Sequence, residues 1–325
     1  MKNITYILLL LIICSSCSKD EDDSSGNETE FKANMREFVI GISTYAKAIN
    51  PNFNIIPQNG IELVSIDGEN SSQPHIAYLN AIDANGQEDL FYGYDNDDEA
   101  TPATTISYLK GFLNLSKNAN KTILVSDYCF TPSKMENSYV QNNTAGYVSF
   151  SANHRELNNI PNHPAAIHQE NNAVITSMSQ VKNFLYLINP ANYSSKSSFI
   201  DAVTATNYDL VLMDLFFTDG TPFSASEISQ LKNKANGGKR LVISYMSIGE
   251  AEDYRYYWQT SWTTNRPSWL DVENPDWTGN FKVKYWNPEW QKIIYGNDSS
   301  YLKKVLNAGF DGVYLDIIDA FEYYE

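Results

Sequence analysis

Met35, Phe38, Val39, Ile42, Ala46 and Ile49 recur at intervals of three and four, which predicts a helix with one apolar face, terminated at Pro51. A different pattern follows. Short apolar runs bounded by polar and glycine-containing turns read as buried strands: FNIIPQNG (Phe53 to Gly60), TILVSDY (Thr122 to Tyr128), GYVSF (Gly146 to Phe150) and NFLYLIN (Asn183 to Asn189). Four more come after them: YDLVLMDLFF (Tyr208 to Phe217), RLVISYMSIGE (Arg240 to Glu250), FKVKYWN (Phe281 to Asn287) and DGVYLDII (Asp311 to Ile318). The Gly146 and Phe281 runs are short or only half apolar. Helix punctuation separates several of these runs. Ser224 with Glu227 forms a capping box, Gly237 and Gly238 close that helix, and Gly309 ends another just before the last strand.

Near-continuous apolar strands alternating with helices predict a parallel sheet covered on both faces, and eight of them predict a closed (β/α)8 TIM barrel. An open doubly wound sheet is the alternative. The first element is a helix with no strand before it, and the last is a strand with no helix after it. A closed barrel has no preferred seam, so the pattern predicts a circularly permuted barrel in which helix Met35 to Asn50 covers strand Asp311 to Ile318. Phe31 and Glu325 are then neighbours.

The first residues read differently. Lys2 followed by an apolar run from Ile4 to Ile13, shorter than the ~20 residues a bilayer requires, predicts a secretory signal over residues 1–16. Cys17, after two serines, looks like the lipidated cysteine of a bacterial lipoprotein. Residues 17–30 are polar and acidic, too poor in apolar side chains to order themselves, and read as a tether. An acidic stretch at this place resembles the surface-export signal of Bacteroidetes lipoproteins. The expected location is therefore the outer face of the outer membrane, with membrane contact through the lipid alone. Residues 31–325 read as a single monomeric domain whose Cys129 has no cysteine to pair with. The net charge of −16 argues against nucleic acid and favours a neutral or cationic partner.

In such a barrel chemistry collects at the C-terminal ends of the strands. Four runs carry acids there: Asp127, Asp214, Glu250 with Glu252 and Asp253 beyond it, and Asp316 with Asp319 beyond it. Alternation puts Tyr314 on the face of Asp316, Leu212 on that of Asp214 and Val125 on that of Asp127. A single acid after a strand often caps a loop amide. Four converging on one mouth point to glycoside cleavage, in which a protonated carboxyl assists the leaving oxygen and an ionised one acts as nucleophile or base. Crowding raises the pKa of at least one of them.

All six tryptophans fall between Trp258 and Trp290. Trp258 and Trp262, in the loop nearest the acids, read as sugar contacts, whereas Trp277 and Trp290 read as packing. Tyr128, Gln58 and Asn59 at strand ends, together with Tyr314, complete the candidate substrate contacts. His154, His163 and His168 match no zinc-ligand spacing and read as a surface loop. There is no His-Glu-x-x-His, phosphate loop or Gly-x-Gly-x-x-Gly, so neither cofactor nor metal is indicated.

SYMSIGEAEDYRYYW and GFDGVYLDIIDAFEYYE, with ILVSDY, IIPQNG and YDLVLMDLFF, resemble glycoside hydrolase family 114, the endo-α-1,4-polygalactosaminidase family, in its bacterial and archaeal barrel branch. The resemblance implies a barrel and endo-acting hydrolysis of a galactosamine-containing polysaccharide. The family's Ser-x-Gly-x-x-Glu-Asp segment falls on Ser247, Gly249, Glu252 and Asp253, making Asp253 a nucleophile candidate. Its Gly-Val-Glu-Pro-Asp falls on GVYLD, with Tyr314 at the glutamate position and Asp316 at the aspartate. Glu250, at the strand end, is placed to substitute for that glutamate. Related chains begin near NFLYLIN and end with the elements that here come first, in keeping with permutation. Asp316 and Glu250 are the first choices for the catalytic pair, with Asp253, Asp214 and Asp127 as nucleophile, orienting or sugar-binding alternatives. The reading is a surface lipoprotein glycoside hydrolase cleaving an amino-sugar polysaccharide; the alternative is a non-catalytic glycan-binding barrel.

Overall fold

The computed structural model describes residues 30–325. The expected signal, Cys17 and the tether up to residue 29 lie outside the described residues, and Glu30 opens helix α1 (Glu30–Ile49). Met35, Phe38, Val39, Ile42 and Ala46 are buried as the spacing requires, each contributing about 1.5–3 kcal/mol if a large side chain, while Ile49 faces solvent at the helix end.

The strands in chain order are β1 (Asn54–Pro57), β2 (Ala84–Glu88), β3 (Thr122–Tyr128), β4 (Val148–Ala152), β5 (Phe184–Tyr186), β6 (Leu210–Asp214), β7 (Leu241–Ser247), β8 (Glu250–Glu252), β9 (Leu270–Glu273), β10 (Asn280–Val283) and β11 (Gly312–Asp316). The further helices are α2 (Ile76–Ala81), α3 (Ala103–Asn118), α4 (Pro132–Ala145), α5 (Lys196–Thr204), α6 (Ala225–Leu231), α7 (Pro288–Ile294) and α8 (Tyr301–Ala308). One parallel sheet runs β1-β11-β7-β6-β5 and a second runs β2-β3-β4. At one junction Gln58 and Gly86 form a parallel bridge, and Asn59 N donates to the Gly86 carbonyl at 3.0 Å. At the other junction β4 and β5 meet through side chains, with the Phe150 and Phe184 rings 5.7 Å apart. No strand ladder joins β4 to β5 among the described residues, so the closed hydrogen-bonded barrel that the pattern predicted is not found; the parallel strands form two sheets set edge to edge.

The sequence predicts eight such strands, and the two parallel sheets hold eight among the described residues, but not the same eight. The Phe281 run forms β10, which pairs antiparallel with β8 and β9 in a separate sheet. It is the central strand of that three-stranded sheet, and its half-polar composition fits a small sheet outside the parallel core. The eighth parallel strand is β2, with the sequence Ala-Asn-Gly-Gln-Glu, which carries no aliphatic signature. Its neighbours supply the bulk instead. The Tyr314 hydroxyl from β11 sits where a Cβ on Gly86 would be, and the Ser116 hydroxyl of α3 donates to Asn85.

Helix α1 packs between α2 and α8, beside the helices that follow β1 and precede β11. Tyr295 covers it, its ring 6.0 Å from Phe38. The described ends meet: Lys32 Nζ lies 2.7 Å from Glu325 Oε1, and the Phe31 and Tyr324 rings are 5.6 Å apart.

Candidate active site

The C-terminal ends of the parallel strands open on a cavity of about 590 Å³. Gln58 and Asn59 reach it from β1, Glu88 from β2, Tyr128 from β3, Asp214 from β6, Tyr245 from β7 and Asp316 from β11. Glu250 and Glu252, on β8, supply two further acids.

Asp316 accepts a hydrogen bond from the Tyr245 hydroxyl at 2.6 Å. Burial, and after it the Glu88 charge, pushes its carboxyl up to about 7, although the Tyr245 bond favours the ionised form. The next residue, Ile317, has φ 57°, a left-handed conformation that a β-branched residue adopts at a cost of about 1–3 kcal/mol. The surrounding chain enforces this turn. Ile248 N donates to the Asp316 carbonyl at 3.1 Å, and any Cβ on Gly249 would overlap the Ile317 carbonyl. The Gly in the Ser247-to-Asp253 segment is thus the residue that lets the end of β11 turn beside β7.

Arg255 binds both oxygens of Asp214, at 2.9 Å and 2.7 Å, and its Nε lies 2.5 Å from Glu252. Against burial, which disfavours its charge, Asp214 and Glu252 hold the guanidinium well above its usual pKa. Both acids therefore serve as its counter-ions. Tyr254 also donates to Glu252, at 2.6 Å. Glu250 is fully buried in the cavity wall. Its Oε1 accepts from Asn274 at 2.8 Å and from Tyr323 at 3.0 Å, whereas Oε2 has no hydrogen-bond partner in the protein. Glu88 accepts from the Tyr128 hydroxyl and, at 3.0 Å, from Asn59 Nδ2. Below this level Tyr186 donates to Gln58 at 3.0 Å and packs edge-on against Tyr314, whose hydroxyl has no partner.

Asp127 lies elsewhere. Glu88 pairs with Ser126 in the β2–β3 register, so alternation turns Ser126 and Tyr128 inward and Asp127 towards α4. There Asp127 accepts from Phe91 N at 2.8 Å, Tyr92 N at 3.2 Å, Ser138 at 2.6 Å and Asn142 at 3.0 Å. Those bonds hold the loop after β2. Asp253 is exposed, beside Gly279, and is not part of the cavity wall. Tyr314 is buried beneath that wall.

Three of the four tryptophans assigned from the sequence, Trp258, Trp262 and Trp277, are placed opposite to that reading, while Trp290 packs as expected. Trp258 and Trp262 pack on each other at 5.2 Å, with Phe281 and Trp269 completing the cluster at 4.9 Å and 5.0 Å, and neither lines the cavity. Trp277 is exposed on the cavity rim. Trp290 is buried and donates to the Ile248 carbonyl at 2.8 Å. The three loop histidines do not line the cavity, and among the described residues no group of three or more His, Cys, Asp or Glu side chains is arranged to hold a metal ion.

Residues 164–324 match the sequence model of glycoside-hydrolase family GH114. That stretch of the chain belongs to glycoside-hydrolase family GH114. An uncharacterised protein of Methanocaldococcus jannaschii is 46% identical over 135 residues, covering 41% of this chain and 36% of the relative. One of Deinococcus radiodurans is 45% identical over 123 residues, 38% of this chain and 37% of the relative. A third, of Thermotoga maritima, is 40% identical over 122 residues, 38% of this chain and 36% of the relative. The match thus spans little more than a third of these relatives' length. Asp214, Glu250, Glu252, Asp316 and Trp277 lie inside the GH114 match, while Gln58, Asn59, Glu88 and Tyr128 lie outside it.

Sequence reasoning did not single out Glu88, Arg255 or Tyr245. The first sits in a strand without an apolar run. The only available signal was Gly86, an isolated glycine that marks close approach of a neighbour. Arg255 was visible as the cation nearest to Glu252 and Asp253.

Proposed function

We propose that the protein is a glycoside hydrolase that cleaves an amino-sugar polysaccharide of the galactosamine type, using Asp316 as proton donor and Glu250 as nucleophile or base. One observation carries this reading: acids from β2, β6, β8 and β11 converge on a single cavity, in which burial and Glu88 push the Asp316 carboxyl up to about 7. Asp316 gives that proton to the leaving glycosidic oxygen. The unpaired Oε2 of Glu250 acts on the anomeric carbon or on a water beside it, while Asn274 and Tyr323 fix its other oxygen. Glu88 raises the proton affinity of Asp316, and Trp277 and Tyr254 offer exposed rings for sugar faces. The cavity's two arginines are already engaged, Arg255 as above and Arg155 by Asp89 and Asp97, so its walls favour a cationic, deacetylated sugar.

The proposal includes the architecture and the location. The strand order, the parallel bridge at β1–β2 and the contact of the two described ends support a circularly permuted barrel opened between β4 and β5. Lipidation of Cys17 and display on the outer membrane rest on the sequence alone.

The test is incubation with galactosamine and N-acetylgalactosamine polymers, reading reducing ends and binding together. Wild type releases reducing ends, and Asp316→Asn and Glu250→Gln do not; full activity in both variants would falsify the pair. Tyr314, standing at the family's glutamate position, favours a second reading as a non-catalytic glycan-binding protein, which predicts retention of polymer with no reducing ends released.

A further inference from the structure

The end of β2 separates two cavities. The second, of about 260 Å³, lies on the outer side of β2 and shares Asn59, Glu88 and Asp319 with the first. Its walls carry the further acids Glu62, Asp89 and Glu322, and neither Lys nor Arg lines it. Asp89 pairs with Arg155 at 2.9 Å, although burial pushes its carboxyl up to about 7. Burial, and after it the charges of Asp316 and Glu322, push Asp319 up to about 8.

A second and independent feature is Gln87. It is only 5% exposed and lines this cavity. Its Nε2 is committed to two acceptors, Asn59 Oδ1 at 3.3 Å and the Glu88 carbonyl at 2.9 Å, which fixes Oε1 as the opposite end of the amide. That oxygen has no hydrogen-bond partner. A buried acceptor without a donor costs about 1–3 kcal/mol, and a ligand N–H or O–H would recover it. Nearby, Tyr108 donates to Glu62 at 2.9 Å and presents a partly exposed ring, as does Tyr94.

We infer that this second cavity is a subsite for an ammonium-bearing sugar unit of the polymer, with Gln87 Oε1 accepting from the ammonium group and Glu62 and Glu322 flanking it. The inference rests on the reading of the first cavity as a sugar site. Because Asn59, Glu88 and Asp319 border both spaces, one chain passing over the end of β2 occupies them together, and the outer unit adds selectivity for deacetylated polymer. Neither Glu62 nor Glu322 lines the first cavity, so removing their charges leaves its groups in place.

The test measures equilibrium binding of a short galactosamine oligomer and of its N-acetylated counterpart to the full chain carrying Asp316→Asn, with and without Glu62→Gln and Glu322→Gln. The expected result is a preference for the amine form that the double substitution weakens about three- to tenfold, as loss of two partly exposed ion pairs does, with the acetylated oligomer unaffected. Equal affinity of the parent for the two oligomers, or an unchanged preference in the double variant, overturns the subsite. Reducing-end release by wild type is measured separately. Release with an amine preference that the double substitution leaves unchanged removes only the second cavity, and an amine preference that it weakens, without release, removes only the cleavage reading.

Discussion

The part of the cavity inside residues 164–324 and the part outside them differ in what their side chains are free to do. Inside the GH114 match, burial and Glu88 push the Asp316 carboxyl up to about 7 and Glu250 has an oxygen with no partner in the protein, while Asp214 and Glu252 are tied to Arg255. Outside it, Gln58, Asn59, Glu88 and Tyr128 are bonded to one another or to Tyr186. One part holds groups poised to react. The other sets the field in which they do so, chiefly through Glu88 and its effect on Asp316. A chain reduced to the GH114 match would therefore keep the reacting acids and lose Glu88, which after burial is the main influence raising the Asp316 pKa.

The largest effect expected is from Asp316→Asn. Loss of a general acid removes about 10²–10⁴ in kcat on polymer, measured by reducing ends. Glu88→Gln sharpens the comparison. Removing that anion lowers the Asp316 pKa from about 7, so the basic limb of the kcat/KM profile moves to lower pH while activity well below the limb is nearly unchanged. A basic limb that stays in place would mean that the two parts of the cavity act independently.

The same comparison explains what was legible in the sequence. The strands of the matched part announce themselves as apolar runs, and two of their acids, Asp214 and Asp316, reach the cavity as strand ends should, while Glu250 reaches it from the start of β8, just past the end of β7. Glu88 was illegible because β2 borrows its bulk: Gly86 is small to admit Tyr314, and Asn85 is polar because Ser116 bonds it. Asp127 was legible as a strand-end acid but not in its direction, since a one-residue change of register reverses a strand's faces and the register is set by pairing with β2. The tryptophans show the limit of proximity along the chain. Trp258 and Trp262 are near the acids in sequence, yet β10 folds back and buries them under Phe281, leaving Trp277 at the rim.

Gly86→Ala tests that borrowing directly. The added methyl overlaps the Tyr314 hydroxyl in a packed interior, and overpacking of this kind costs about 1–3 kcal/mol in urea unfolding. Tyr314→Phe deletes a buried hydroxyl that has no partner, so alone it is neutral or stabilising and in combination it relieves part of the Gly86→Ala loss. Simple additivity of the two changes would show that β2 and β11 are not packed in this way.

Stability should also depend on pH, through the acids at the end of β11. Asp316 and Asp319 have folded pKa values of about 7 and 8, against about 3.9 unfolded. Between those limits the folded state binds more protons than the unfolded state, so stability falls as pH rises from about 4 to about 8. The opposite sign holds for Asp98. Against its burial, Thr131, Lys134 and the Phe130 amide hold it at about 2, so its contribution is present above about 4 and is lost as pH falls towards 2. Thermal unfolding is expected to give a lower Tm at about pH 8 than at about pH 5, with a flatter slope in Asp319→Asn. A slope unchanged by that substitution would show that Asp319 is not held protonated by its surroundings.

The smallest effect separates the two groups of tryptophans. Trp277 is exposed on the rim, whereas Trp258 and Trp262 stack inside a cluster that includes Trp269 and Phe281. A ring lying on a sugar face contributes about 0.5–1.5 kcal/mol, so Trp277→Ala raises KM for polymer roughly two- to tenfold and leaves Tm nearly unchanged. Trp258→Ala does the reverse: it opens a space in a packed cluster and lowers Tm, while KM stays close to wild type as long as the protein is folded. Measuring both constants on both variants decides the assignment, because a raised KM in Trp258→Ala with normal Tm would place the polymer over the cluster and away from the rim.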